Sequence, residues 1–129
     1  MRSLVVCLAV IIAGCHGPRI TGAVYAGQIS VYPKATFVTT SRGSYTDSAG
    51  RPPRLESESW FFKFQDSMPR VVDYYQHHLS NAHRDDDDDG NVTFTFVPKE
   101  AESGEHVSVT IRPGALQISE TLKPGKRRS

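Results

Sequence analysis

The sequence predicts an α+β domain, an antiparallel sheet of about five strands with one helix packed on one face, in the order β-β-α-β-β-β. Three observations carry that expectation. Trp60, Phe62 and Phe64 alternate with polar or outward residues, the signature of a half-buried strand. Val71, Val72, Tyr75 and Leu79 then recur at helical spacing, with Met68 one turn earlier. Val92, Phe94 and Phe96, and later Val107, Val109 and Ile111, return to the two-residue period with Thr or Ser between them.

In chain order, the first strand is expected over 28–40, with Ile29, Val31, Ala35, Phe37 and Val38 as its apolar members. Pro33 has no N–H to give a ladder, so the early part is an edge or an irregular lead-in. Residues 41–54, rich in Ser, Gly, Arg and Pro, read as a long exposed loop. The aromatic strand spans 55–65. Asp66-Ser67 before Met68-Pro69 opens a helix over 68–79, with Ser67 at the N-cap and proline tolerated in the first turn. Residues 80–90 form a polar loop holding five consecutive aspartates. Two strands follow, and Arg112-Pro113-Gly114 turns the second of them into a further strand over 116–122. The remaining segment, 123–129, is a basic tail expected to be disordered.

Length and composition bound the functional classes. A chain of 129 residues has room for one domain, and 38% hydrophobic with 22% charged residues is ordinary for a globular fold. The formal charge of +1, with basic residues scattered except in the tail, gives no electrostatic basis for nucleic-acid binding. No apolar run approaches the roughly 20 residues that span a bilayer as a helix.

The N-terminus carries the most specific signal. Arg2 supplies a positive charge, residues 4–12 form an apolar run, and Ile12-Ala13-Gly14-Cys15 closes it. The tetrapeptide resembles the lipobox of bacterial lipoproteins, with Ile12 in place of the commoner leucine. That resemblance implies diacylglyceryl transfer to the Cys15 Sγ and cleavage between Gly14 and Cys15, leaving an acylated (diacylglyceryl, palmitate-type) N-terminus. Residues 1–14 are then a removed signal peptide, 15–27 a lipidated cysteine and flexible tether, 28–122 the domain. Cys7 leaves with the signal, so Cys15 is the sole thiol of the mature chain and no disulfide staples it. The tether of about a dozen residues would let the domain stand tens of ångströms from the bilayer. The implied location is a cell envelope; if the cell is Gram-negative, His16, where aspartate would favour retention in the inner membrane, points to the outer membrane. A plain secretory signal with an incidental cysteine is the alternative.

The domain itself is similar to a loose group of small bacterial envelope domains. Val31-Tyr32-Pro33-Lys34-Ala35, an aromatic strand, Asp66-Ser67 and Val71-Val72-Asp73-Tyr74-Tyr75 carry the resemblance. Lys34 stands where the group has glycine, and Met68-Pro69 shifts the helix-opening proline by one place. The resemblance implies a twisted antiparallel sheet behind the helix and no particular activity.

Candidate chemistry is sparse. Asp85, Asp87 and Asp89 followed by Gly90 match the opening of an EF-hand loop, but the twelfth position is Phe96, where the metal needs a bidentate glutamate. A solvated acidic loop is the competing reading. His77 and His78 close the helix and His83 follows in the loop; adjacent helical residues diverge by about 100°, so only one could join His83 in a zinc site. Helix-end histidines also answer the helix dipole without metal. Glu56 and Glu58 share a strand face and could form an acid/base pair, or be surface charges. Lys123, Lys126, Arg127 and Arg128 could attract anionic headgroups at about 1 kcal/mol each. With no phosphate loop, nucleophile elbow or mature thiol nucleophile, the sequence leads to a non-enzymatic envelope lipoprotein without cofactor. Its domain serves interaction or scaffolding with an envelope protein. The alternative is a small-ligand or divalent-cation sensor using Asp85, Asp87, Asp89 and His83.

Overall fold

The computed structural model describes residues 20–45 and 55–126. Among these described residues six strands form one antiparallel sheet: β1 (Thr36–Tyr45), β2 (Leu55–Lys63), β3 (His83–Asp86), β4 (Val92–Phe96), β5 (His106–Arg112) and β6 (Ala115–Leu122), in spatial order β1-β2-β6-β5-β4-β3. The helix α1 (Met68–His78) lies between β2 and β3 in sequence. The class is therefore α+β, with one strand more than the sequence pattern indicated.

The alternation sets the two faces. Trp60 stands opposite Ile118, Phe62 opposite Leu116, Val109 opposite Ile118 and Phe94 opposite Val109, so one continuous apolar face runs across β2, β6, β5 and β4. Phe94, Ile111, Ile118 and Leu122 are wholly buried there. Burial of each such side chain contributes about 1.5–3 kcal/mol. Val71 and Tyr75, four apart on α1, close over this face and are equally buried. Ser67 sits at the N-cap in extended backbone, although its hydroxyl makes no capping bond; Pro69 occupies the first turn. Among the described residues, no helix is long and apolar enough to cross a membrane.

The opposite face carries hydroxyls and a side-chain amide. Ser59 and Ser119 meet across β2 and β6 at 2.7 Å, Gln117 donates to both, and Thr93 meets Thr110 at 3.2 Å across β4 and β5.

Three expectations are revised, and of the two readings of the early first strand the irregular lead-in holds. β1 begins at Thr36 and continues to Tyr45, so residues 41–45 are strand where a loop was expected, while 46–54 lie outside the described residues. Residues 28–35 are an irregular lead-in, because Pro33 and the turn closed by the Ala35 N–H on the Tyr32 carbonyl interrupt any ladder. The polar stretch His83–Asp86 is strand β3, paired with β4 although all four residues are exposed. Last, the stretch expected to be a tether is packed from Ile20 onward: Ile20, Tyr25 and Ala26 belong to the core, with a 3-10 turn at Ala26–Gln28. Only residues 16–19 remain between Cys15 and that packed lead, and they lie outside the described residues.

Candidate functional site

Two buried carboxylates at one end of the sheet build the most developed polar site. Glu120 on β6 follows the inward alternation of Leu116 and Ile118, so its side chain enters the core and has no exposed surface. Its Oε1 accepts the N–H groups of Tyr25 at 2.7 Å and Ala26 at 2.8 Å, and Oε2 accepts that of Val24 at 3.0 Å. These are the donors that a short 3-10 turn leaves unpaired at its start, and a carboxylate is the strongest acceptor for them.

Glu105, just before β5, is the second. Its Oε1 accepts the Tyr25 hydroxyl at 2.8 Å, the Glu102 N–H at 2.8 Å and the Lys126 ammonium at 2.9 Å; Oε2 accepts the Lys123 N–H at 3.0 Å. Burial alone would raise this carboxyl, but the N–H groups of Lys123 and Glu102, the ammonium and the hydroxyl outweigh it and hold the group down at about 2. Lys126 Nζ also reaches Glu102 Oε2 at 2.9 Å and the Tyr25 hydroxyl at 3.1 Å, and these bonds hold its ammonium above the ordinary lysine range. The Lys123–Lys126 part of the expected disordered tail is thus bound to the domain, while 127–129 lie outside the described residues.

A third contact fastens the rest of the lead to α1. The buried Tyr75 hydroxyl accepts the Tyr32 N–H and donates to the Ser30 carbonyl, both at 2.9 Å. Tyr32 in turn donates its hydroxyl to Asp66 and packs edge-on against Phe64 and Tyr74. Burial first, and the Asp66 carboxylate second, push the Tyr32 phenol up to about 12. The Tyr-Pro segment and the Asp66 helix opening therefore meet in space.

The sequence candidates are placed differently. Cys15 and Gly14 lie outside the described residues. Asp85 is in β3; Asp87 spends its carboxylate on its own turn, accepting the N–H groups of Asp89 and Asn91 and the Asn91 side-chain amide. Those bonds, from Asn91 above all, hold the Asp87 carboxyl below its ordinary value. Asp86 is paired in a two-point contact with Arg84 at 2.8 and 3.0 Å, and Arg84 also donates to Gln76 on α1. Among the described residues no three His, Cys, Asp or Glu side chains gather as a metal-binding group, and His83 does not join the aspartates in one. His77 and His78 each turn Nδ1 to the carbonyl four residues back, at 2.8 Å, which fixes the proton on that nitrogen because a carbonyl only accepts. Glu58, expected at the surface, is buried on the inner face directly opposite Glu120, with the Arg42 guanidinium 3.4 Å away.

Sequence reasoning passed over Glu105, Glu120 and Tyr25 as functional groups. For Glu120 the signal was present: an acid at an inward position between Ile118 and Leu122 needs a partner.

Open cavities lie elsewhere among the described residues. One, of about 360 Å³, lies between α1 and the β3–β4 hairpin and is lined by Met68, Val72, Gln76, Arg84, Asp86 and Val92, among others. Another, of about 530 Å³, includes His78, His83, Phe96, Val97 and Lys99. Comparison with protein-family models, with curated proteins and with solved structures finds no match to this chain.

Proposed function

We propose that the protein is a lipid-anchored, non-enzymatic interaction domain of a bacterial cell envelope, attached through Cys15. The observation that carries this reading is the Ile12-Ala13-Gly14-Cys15 lipobox at the end of a charged-then-apolar leader. The employment of the buried acids supports its non-catalytic half. Glu120 is committed to three backbone N–H groups, and Glu105 to four donors that keep it ionised. A general acid or base needs a proton affinity near the working pH and room for a substrate, whereas these carboxylates hold the chain's own backbone.

Cell fractionation tests the anchor. The unaltered chain is expected in the membrane fraction, and Cys15→Ala in the soluble exported fraction. Retention of Cys15→Ala on membranes would overturn the reading. Crosslinking in intact cells tests the interaction half, with a reproducible adduct to one envelope protein as the expected result.

A further inference from the structure

Among the described residues the sheet has two unequal edges, β1 on one side and β3 on the other, each paired with a single strand. Strand β3 is four residues long and reads His-Arg-Asp-Asp, a short, charged edge of the kind that discourages further pairing. Strand β1 runs for ten residues and contains neither proline nor lysine. Every residue from Thr36 to Ser44 is exposed, Phe37 at 49% and Val38 at 54% among them. Its one charged residue, Arg42, has its guanidinium 3.4 Å from the Glu58 carboxylate of β2. The outward N–H and C=O groups of a long edge strand are a template for another strand.

The sequence of β1 fits a second copy of itself. Residues directly opposite in a ladder share a face, so an antiparallel pairing must match inner with inner and outer with outer. From Thr39 onward the register with β2 is regular. Thr40 and Arg42 stand opposite Trp60 and Glu58 on the inner face; Thr39, Ser41 and Gly43 stand opposite Phe61, Ser59 and Ser57 on the outer. A two-fold axis at Ser41 keeps that rule: it sets Ser41 against Ser41, Thr40 against Arg42 and Thr39 against Gly43. An axis at Arg42 would instead bring two guanidiniums face to face, and like charges directly opposite are destabilising. The fit extends to the irregular start of the strand. A bulge lies between Phe37 and Thr39, with Val38 as the extra residue. The second copy meets that crowded position with Gly43, which brings no side chain. Nothing within the chain calls for glycine there: its φ is not positive, and an added Cβ would meet the Ser57 hydroxyl at an ordinary 3.5 Å.

We infer that the chain forms a symmetric dimer through β1, the two copies of the strand running antiparallel about an axis at Ser41, so that the two sheets join into one. The interface is isologous, the same surface meeting itself, as a closed two-fold dimer requires. Main-chain hydrogen bonds along the shared ladder supply the attraction, and the bulge against glycine sets the register. Phe37 and Val38 flank each end of the ladder and lose exposure to the second copy. The inference stands apart from the anchor reading and requires no envelope protein.

The test uses the full chain in mild detergent, with Cys7→Ala and Cys15→Ala leaving no native thiol. Sedimentation is expected to give twice the monomer mass, returning to monomer on dilution. Ser41→Cys in that background should form an intermolecular disulfide under mild oxidation, because Cβ atoms directly opposite lie about 5 Å apart. Asp85→Cys, on the β3 edge, should remain monomeric under the same treatment. Ser41→Lys opposes two ammonium groups at the axis and should weaken dimerisation by about tenfold or more, with its circular dichroism unchanged. If that variant loses its fold, the two cysteine variants decide alone. A chain that stays monomeric at every concentration overturns the inference, as does trapping of Ser41→Cys no faster than that of Asp85→Cys. A dimer that a folded Ser41→Lys leaves intact assigns the association to another surface, the apolar leader included, and overturns it equally.

Discussion

At the scale of single residues, two glutamates do most to seat the lead. Glu120 is fully buried and receives three backbone N–H groups, so Glu120→Gln replaces one acceptor oxygen with an NH2 that confronts donors. A loss of about 2–4 kcal/mol follows from stranding buried donors, and urea unfolding would measure it as a lower midpoint. An unchanged midpoint would mean that the lead is not held by this carboxylate. Glu105 makes a pH-dependent contribution. Its carboxyl sits at about 2 in the fold against an ordinary value of 4.5, so the unfolded chain binds the extra proton between those values. The stability it contributes is complete above about 4.5 and drains away as the pH falls through about 2. Glu105→Gln should therefore be less stable than the parent at neutral pH. The gap should narrow on acidification across that window, a trend readable from thermal midpoints at a series of pH values.

Among elements, β3 shows how local chemistry makes a strand that periodicity does not announce. His-Arg-Asp-Asp has no apolar alternation and poor strand propensity. It forms because the turn behind it is well specified: Asp87 accepts from Asp89 and Asn91, and Gly90 takes φ +85. Arg84 then bridges Asp86 on its own strand and Gln76 on α1, lying 6.0 Å from the Phe94 ring centroid. Gly90→Ala should cost about 1 kcal/mol, because an added Cβ meets nothing within 4 Å and only the left-handed backbone resists it. Hydrogen exchange should localise the loss to β3 and β4; protection unchanged in both would contradict this account of the turn. The same contrast explains what was legible beforehand. β2, α1, β4, β5 and β6 announce themselves because their inward residues are large and apolar at a clean period. The lead does not, since Tyr25, Ala26 and Ile29 follow no period, and Tyr25 and Ala26 are held by acids 80 and more residues away. Glu58 was misplaced for the same reason, its inward position being visible but its burial depending on the strands around it.

For the whole molecule, the lead is a structural layer and not a spacer. Ile20, Tyr25, Ala26, Ile29 and Val31 share the core cluster with Trp60 and Leu122. Deleting residues 20–28 should abolish cooperative unfolding and the near-ultraviolet signal of Trp60, whereas deletion within a true tether would leave both intact. A deletion variant that melted like the full chain would return the segment to the role of a tether.

The strand order also dictates when the fold can close. β6 lies between β2 and β5, so β2 has no inner neighbour until a segment some 60 residues later is available, as in the Ser59–Ser119 pair. The lead waits longer still, because Val24 bonds to a residue 96 positions downstream. Contacts so distant in sequence form late and slowly. A chain threaded through a translocation channel from its N-terminus would therefore stay unfolded until almost all of it had crossed. Topology alone would keep it competent for export and delay compaction until the whole sheet was on the far side.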